Sequence, residues 1–184
     1  MRYPKEVVLK DKTDAIIRPL EKNDASKLGE FYAAIPEKDR WFMRYNVMDP
    51  AVIRKLIDSI ETGEVYSTVA LSDDRIIAHA RLHLGRFGST QHLGRLRIMV
   101  LPEYRHKRLG TWMLLDLIQM GMDKGLNDIR ADFVMGVEDA GIEAAEKLDF
   151  FKNAVLKEYV KDPQGKRHDL LVMIKRLHRS WSDF

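Results

Sequence analysis

A strand, a short basic loop and a long apolar helix follow one another over residues 96–117, and no other segment constrains the fold as strongly. The run RIMV predicts a buried strand, LPEYRHKR a polar loop, and LGTWMLLDLIQMGMDK a helix that is apolar over most of its circumference. The first N–H groups of such a helix have no intrahelical acceptor, and its dipole favours negative charge, so the helix start suits a phosphate or pyrophosphate. Four basic residues add positive charge there: Arg105, His106, Lys107 and Arg108.

The composition is that of a folded globular protein. Of 184 residues, 45% are hydrophobic and 32% charged, which predicts one domain, placed at residues 14–178 with terminal extensions at 1–13 and 179–184. No stretch reaches the roughly 18 apolar residues of a membrane span. Cysteine is absent, which excludes disulfides and a thiolate nucleophile, so we predict a cytoplasmic protein. The net charge of +3 is too small to indicate nucleic-acid binding.

The spacing of apolar residues predicts the element order β-α-α-β-β-β-α-β-α-β-β. The second helix is the best marked, because Asp49 suits its N-cap, Pro50 its first position and Gly63 its end. A meander of three strands precedes the basic loop. This order predicts an α/β fold, with a mixed, mostly antiparallel sheet flanked by helices.

The element order, together with the motif V-x-P-x-Y-R-x-x-x-x-G before and into the main helix, resembles the GNAT superfamily of acyl-CoA-dependent N-acetyltransferases. The resemblance extends over residues 14–176. The opening IRPL and NDASKLGEFYAAIPEKDRWF, and the tail YVKDPQGKRHDLLVMIKRL, are similar to the acetyltransferase domains of bacterial protein-lysine acetyltransferases. It implies the GNAT fold, acetyl-CoA as co-substrate and an amine as acceptor.

The resemblance also implies which residues bind the cofactor. In the family's loop, Gln/Arg-x-x-Gly-x-Gly/Ala, Arg105 matches the first position and Gly110 the last. Backbone N–H groups of this loop hold the pyrophosphate of coenzyme A, and the preceding strand holds the acetyl-pantetheine arm. The implied cofactor-binding residues are Ile98, Met99, Val100, Arg105, His106, Lys107, Arg108, Leu109, Gly110 and Thr111. No cluster of His, Asp and Glu has the spacing of metal ligands, so no metal is predicted.

The chain departs from the family pattern at residues that usually complete the site. Arg108 replaces the first glycine of the loop, where we expect an arginine to serve if its φ is negative. Asp149 replaces the usual glycine before Phe150. Arg95 stands where relatives often have a carboxylate suited to a general base, and Ala145 where many have a tyrosine that protonates the departing thiolate. The cofactor scaffold is recognisable, whereas the usual acid and base are not.

Alternation along two neighbouring strands predicts a cationic patch on one face of the sheet. If the strands pair, the patch comprises His79, Arg81, His83, Arg95 and Arg97. Two interpretations stay open. In one, a histidine kept neutral by the arginines is the general base and the arginines hold an anionic acceptor. In the other, the face is an ordinary solvated or helix-covered one, balanced by acidic residues.

Three residues are candidates for acid–base chemistry: His83, Glu138 and Tyr159. Glu138 is also explained as an ordinary acidic residue at a helix start, and Tyr159 as an ordinary tyrosine of a half-buried strand. Three aromatic residues lie between the first two helices, where the family often lines its acceptor cleft, although aromatics of a core or rim need no function. They are Trp41, Phe42 and Tyr45.

We therefore predict an N-acetyltransferase that moves an acetyl group from acetyl-CoA to a primary amine of a protein lysine or a small molecule. Direct attack in a ternary complex is expected, because no cysteine can carry an acyl intermediate. The alternative is a catalytically degenerate GNAT domain that binds acyl-CoA as a sensor or interaction module. The predicted partners are acetyl-CoA and the amine acceptor, without nucleic acid or membrane, and a homodimer is left open.

Overall fold

The computed structural model describes residues 3–85 and 87–177, so the predicted domain end at residue 178 and the extension at 179–184 lie outside the described residues. The strands are β1 (Lys5–Val8), β2 (Asp14–Pro19), β3 (Val65–Ser72), β4 (Arg75–Leu84), β5 (Leu93–Val100), β6 (Asp128–Val134), β7 (Phe151–Lys161) and β8 (Arg167–Arg176). The helices in this part of the chain are α1 (Ala25–Ala34), α2 (Glu37–Arg40), α3 (Pro50–Thr62), α4 (Leu109–Asp123) and α5 (Asp139–Glu146).

These strands form one sheet in the spatial order β1-β2-β3-β4-β5-β6-β8-β7. Among the described strands, every neighbouring pair is antiparallel except β5 and β6. β5 and β6 run parallel and pair only from Leu93 opposite Asp128 to Leu96 opposite Ala131. A parallel pair needs a long crossover connection, and α4 lies in it. The predicted mixed, mostly antiparallel sheet flanked by helices is confirmed.

The structure contains two short elements that the sequence pattern does not predict, β1 and α2. β1 falls in the segment assigned to an N-terminal extension, yet it pairs with β2 from Lys5 opposite Ile17 to Val8 opposite Asp14. Segments of this length carry too little periodicity to be recognised. Pairing with the neighbouring strand, rather than local propensity, determines that β1 forms.

α3 begins and ends where its sequence signals predict. Asp49 caps it by accepting a hydrogen bond from the Ala51 N–H at 2.8 Å, and Pro50 occupies the first position. Gly63 follows the last turn with a φ of 68°, the left-handed conformation that glycine adopts easily. These signals could be recognised because each acts within one turn of the chain.

α4 is buried on most sides, as its apolar circumference predicts. Asp116, in the middle of this helix, is only 2% exposed. Its carboxylate accepts hydrogen bonds from Tyr3 Oη at 3.0 Å and Lys5 Nζ at 2.7 Å, which satisfy the buried charge. These bonds tie the N-terminal strand β1 to α4. Burial, together with the Asp116 charge, raises the pKa of Tyr3.

The two faces of the sheet differ in chemistry. On the face of α4, β4 carries Ala78, Ala80 and Leu82, all fully buried. On the opposite face, α1 packs against β4, and Tyr32 Oη lies 2.7 Å from His79 Nδ1. The charged residues of the central strands lie on this second face, which therefore holds the polar chemistry of the sheet.

Candidate functional site

The two central strands separate midway along their length. β5 and β6 pair up to Leu96 and Ala131, but β5 continues to Val100 and β6 to Val134 without further pairing between them. Each strand stays paired on its outer side, β5 with β4 and β6 with β8. The inner edges of residues 97–100 and 132–134 therefore face an opening instead of a strand. An extended ligand can bind such an edge by main-chain hydrogen bonds.

A cavity of about 540 Å³ occupies this opening, a volume typical of small-molecule sites. Its walls come from β5, β6, the loop before α4, the first turn of α4 and one side of α5. Eight of the residues predicted to bind the cofactor line it: Ile98, Met99, Val100, Arg105, His106, Arg108, Gly110 and Thr111. The sequence therefore predicts most of the wall formed by β5, the basic loop and the start of α4. The wall formed by α5 depends on how α5 packs in the fold.

The start of α4 points backbone donors into this cavity. The first helical hydrogen bond runs from the Trp112 N–H to the carbonyl of the residue before the helix, at 3.1 Å. The N–H groups of Leu109, Gly110 and Thr111 consequently have no intrahelical acceptor. An added Cβ at Gly110 would come no nearer than 4.0 Å to Val100 Cγ2, so the space beside this backbone is open. Free donors at the positive end of a helix form an anion site.

Two of the predicted cofactor residues do not line the cavity with their side chains. Leu109 is fully buried in the core. Lys107 pairs with Asp11 at 2.7 Å, in the turn between β1 and β2. The same turn supplies Lys10, whose N–H donates to the Lys107 carbonyl at 3.1 Å and whose side chain lines the cavity. No local signal identifies Lys10, because its place depends on the packing of a hairpin that is distant in sequence.

The Arg105 side chain is fixed at the end of β5 by two contacts. Its Nε donates to the Val100 carbonyl at 3.0 Å, and its Nη2 lies 2.7 Å from Asp39 Oδ2. The side chain thus connects β5 to α2. Besides Arg105, the basic residues that line the cavity are Lys10, Arg97, His106, Arg108 and Lys147.

Among the three predicted acid–base residues, Glu138 lines the cavity. One of its carboxylate oxygens lies 2.9 Å from Arg97 Nη2, and the other accepts a hydrogen bond from the Val134 N–H at 2.8 Å. Both oxygens are therefore engaged by the protein at the junction of β6 and α5. Each oxygen keeps a second lone pair, so Glu138 can still accept a hydrogen bond from water while both contacts remain.

His83 and Tyr159 do not line the cavity, and their catalytic roles stay predictions. His83 lies on β4 opposite Arg95. Burial, followed by the charges of Arg81, Arg44 and Arg95, lowers the pKa of His83 to about 4. Its imidazole is thus neutral and weakly basic at neutral pH. Tyr159 lies on the edge strand β7 and is 66% exposed.

The predicted cationic face exists, since β4 and β5 are neighbours in the predicted way. Arg81 lies opposite Arg97, and Arg95 is in register with Arg130 of β6. His79 on this face is structural, with ring nitrogens 2.7 Å from Tyr32 Oη and 2.6 Å from Ser67 Oγ. Burial, and after it the neighbouring positive charge, lowers the pKa of His79 well below its ordinary value.

Neither a metal nor a membrane span is indicated by the part of the chain that the structure describes. Within residues 3–85 and 87–177, no group of three His, Cys, Asp or Glu side chains is arranged to hold a metal ion. No helix in the same ranges is long and apolar enough to cross a bilayer.

A family model described as the acetyltransferase (GNAT) family matches residues 32–150, which include both central strands, the basic loop and α5. The chain belongs to this family. Membership confirms the resemblance to the GNAT superfamily and the predicted enzyme class, an acetyl-CoA-dependent N-acetyltransferase. Among curated proteins, none matches the sequence.

Solved structures share the GNAT fold at low sequence identity. The protein yncA of Salmonella typhimurium, solved with its cofactor acetyl-CoA, is 19% identical, with a TM-score of 0.76 over 91% of this chain and 96% of that one. A ribosomal-protein-alanine N-acetyltransferase from Brucella melitensis is 20% identical, with a TM-score of 0.75 over 88% and 99%. The GNAT domain of S. lividans PAT is 15% identical, with a TM-score of 0.75 over 96% and 100%. At these identities the likeness concerns the fold.

The backbone is left-handed at two positions where the GNAT resemblance leads us to expect glycine. Arg108 has a φ of 69° and Asp149 a φ of 59°, both in the left-handed region. The expectation that Arg108 serves with a negative φ is therefore wrong. The loop requires this conformation to turn from β5 into α4, and the arginine adopts it despite its Cβ.

Two further departures from the GNAT pattern have clear structural positions. Ala145 is fully buried on α5 and offers no hydroxyl at the position where the resemblance implies a tyrosine in many relatives. Arg95 lies on the cationic face, with its Nε 4.0 Å from Asp132 Oδ2. These two positions therefore carry neither the tyrosine hydroxyl nor the carboxylate that the resemblance implies.

The aromatic segment between α2 and α3 extends towards the β7–β8 hairpin. Trp41 Nε1 donates to the Lys161 carbonyl at 2.7 Å. Phe42 lines the cavity, and its ring packs edge-on against His168 with centroids 6.2 Å apart. Tyr45 is half-exposed. Of the three aromatics predicted to border an acceptor cleft, Phe42 thus contacts the cavity directly.

Proposed function

We propose that this chain transfers the acetyl group of acetyl-CoA to a primary amine, by direct attack within a ternary complex. The observation that carries the proposal is the separation of β5 from β6, with the start of α4 at the far end of the opening. An unpaired strand edge suits the amide-rich pantetheine arm, and a helix N-terminus suits the pyrophosphate. Family membership supports the same assignment.

The residues present fit acetyl-CoA. The N–H groups of Leu109, Gly110 and Thr111 would hold the pyrophosphate, with the positive side chains of Arg108 and Lys10 beside it. The inner edge of residues 97–100 would hold the pantetheine arm. An N–H group of this edge would polarise the thioester carbonyl, which is where negative charge develops as the amine attacks.

Orientation of the two substrates is the main contribution expected from this protein. The amine nitrogen forms a bond to the thioester carbon, the carbon–sulfur bond breaks, and coenzyme A leaves as a thiolate that takes up a proton. The attacking nitrogen loses a proton to water or to Glu138 through water. No covalent acyl-enzyme is expected, because the sequence contains no cysteine.

A titration with acetyl-CoA, followed by a turnover assay, tests the proposal. Acetyl-CoA should raise the melting temperature of the folded protein by mass action, and free coenzyme A should do so as well. Release of coenzyme A should then accelerate when amines or lysine peptides are added. The absence of any shift at millimolar acetyl-CoA would overturn the proposal.

One observation favours a second candidate, a GNAT domain that binds acyl-CoA without turnover. Glu138 has both oxygens engaged, and Ala145 is buried and without a hydroxyl, so the cavity offers no unengaged acid or base at these positions. If acetyl-CoA raises the melting temperature but no amine causes release of coenzyme A, the protein is such a sensor.

A further inference from the structure

Positive charge is concentrated on the sheet face beside the cleft. Arg81 lies directly opposite Arg97 across β4 and β5, and His83 lies opposite Arg95. Arg95 is in turn in register with Arg130 on β6. Like charges opposite one another destabilise a sheet unless counter-charges offset them.

Within the described residues, acidic side chains pair with only some of the arginines on this face. Arg97 pairs with Glu138 at 2.9 Å, and Arg130 pairs with Asp132 at 2.6 Å. Arg95 is held only weakly by Asp132, at 4.0 Å. Two carboxylates therefore serve the arginines of β5 and β6, and neither reaches Arg81.

Arg81 itself is buried and incompletely paired. The residue is 7% exposed, and its Nη1 has no hydrogen-bond partner among the described residues. A buried guanidinium nitrogen without an acceptor is costly, so such groups normally meet an anion. Arg44, from the segment after α2, is close enough to the half-buried His83 of the same face to lower its pKa, together with Arg81 and Arg95, to about 4.

We propose that Arg81, flanked by Arg44 and Arg95, binds an anionic group on the amine acceptor. This anion site is the group of those three residues. It accepts a carboxylate or a phosphate, for which a guanidinium offers parallel N–H donors. The inference rests on the proposed transferase function and names its substrate class, an amine with an acidic group close by.

The anion site adjoins the cavity through Arg97, although none of its own three side chains lines the cavity. Arg97, the direct neighbour of Arg81, lines the cavity at the edge that would hold the thioester. Residues opposite one another in an antiparallel pair have Cα atoms about 5 Å apart. A short acceptor can therefore span from Arg81 to the cleft, and its binding requires a local movement that exposes the buried Arg81 Nη1.

Matched acceptors test the proposal on the wild-type protein. The pairs are β-alanine and β-alaninamide, phosphoethanolamine and ethanolamine, and lysine peptides with glutamate or glutamine beside the lysine. At least one acidic member should exceed its neutral partner by about tenfold or more in kcat/KM, as expected for a charge-assisted hydrogen bond. The successful pair identifies a small carboxylate, a phosphate or an acidic peptide. Equal values in all three pairs would overturn the proposal.

Two substitutions test whether Arg81 and Arg95 cause the preference for acidic acceptors. Arg81→Met and, at a more exposed site, Arg95→Met should reduce the ratio of kcat/KM for the acidic acceptor to kcat/KM for the neutral one. Arg75→Met is the matched control on the same strand, because that side chain is 52% exposed and pairs with Glu103. A ratio unchanged in Arg95→Met, and in Arg81→Met if it folds, would contradict the assignment.

Binding measurements separate this proposal from the transferase proposal. Calorimetry on the protein saturated with coenzyme A should detect β-alanine or phosphoethanolamine and not the neutral partner. Binding of the acid without turnover would support the anion site and contradict the transferase. Turnover without any preference for acids, in rate or in binding, would contradict the anion site alone.

Discussion

Arg108 and Asp149 occupy backbone conformations that glycine adopts at lower cost. A non-glycine residue in the left-handed region costs on the order of 1 kcal/mol, and aspartate tolerates it better than arginine. We expect Arg108→Gly to raise the free energy of unfolding by about 1 kcal/mol, and Asp149→Gly to raise it by less. Urea denaturation with an unchanged m-value would measure both effects. A less stable Arg108→Gly would show that the arginine side chain makes a compensating contact.

The two histidines of β4 make stability dependent on pH. Burial, and then neighbouring positive charge, keeps the native pKa of His79 well below 6.5 and that of His83 at about 4. Below pH 6.5 the unfolded chain binds protons that the native state does not, so stability falls as the pH falls. The loss is at most about 1.4 kcal/mol per pH unit for each histidine.

The expected profile is therefore a plateau above pH 6.5 and a decline towards pH 4. Denaturant midpoints across this range measure it. His83→Gln should make the decline shallower, since one of the two protonating groups is removed. A wild-type curve that is flat between these values would contradict the assignment of two histidines that stay neutral in the native state.

At the scale of the element, the start of α4 can be tested with a single added methyl group. An added Cβ at Gly110 has room within the protein, so Gly110→Ala should fold, with a free energy of unfolding that is unchanged or higher by up to about 1 kcal/mol. The same methyl group would lie where a phosphate approaches the backbone. We expect the affinity for acetyl-CoA to fall by about tenfold or more, which corresponds to about 1.4 kcal/mol.

Gly29→Ala is the control, because Gly29 also lies in a helix and an added Cβ there meets nothing within 4 Å. It should gain similar helical stability and bind acetyl-CoA as the wild type does. Equal affinities in the two variants, measured by calorimetry, would mean that the phosphates do not approach the first turn of α4.

At the scale of the whole molecule, the features that could be predicted from the sequence are those that depend on residues close together along the chain. The caps of α3 act within one turn, and the alternation along β4 and β5 acts within each strand, so the sequence identifies them. Lys10 reaches the cavity only because β1 pairs with β2, and the Arg97–Glu138 pair forms only after β6 and α5 dock beside β5. Such long-range packing leaves no local signal.

The opening between β5 and β6 likewise results from long-range packing. Nothing in the residues of either strand indicates that pairing stops at Leu96 and Ala131. The basic loop could be recognised as an anion site, but its partner wall on α5 comes from the fold. The left-handed φ of Arg108 is likewise imposed by the turn and runs against the preference of the residue.

Hydrogen–deuterium exchange with and without saturating acetyl-CoA tests the central claim most directly. If acetyl-CoA occupies the opening between β5 and β6, the largest added protection should fall on peptides covering residues 97–100 and 109–111, whose backbone groups face the ligand. Peptides from β1–β3 outside the Lys10 turn should exchange at unchanged rates. Binding with protection centred elsewhere, or no change in exchange at all, would contradict the account.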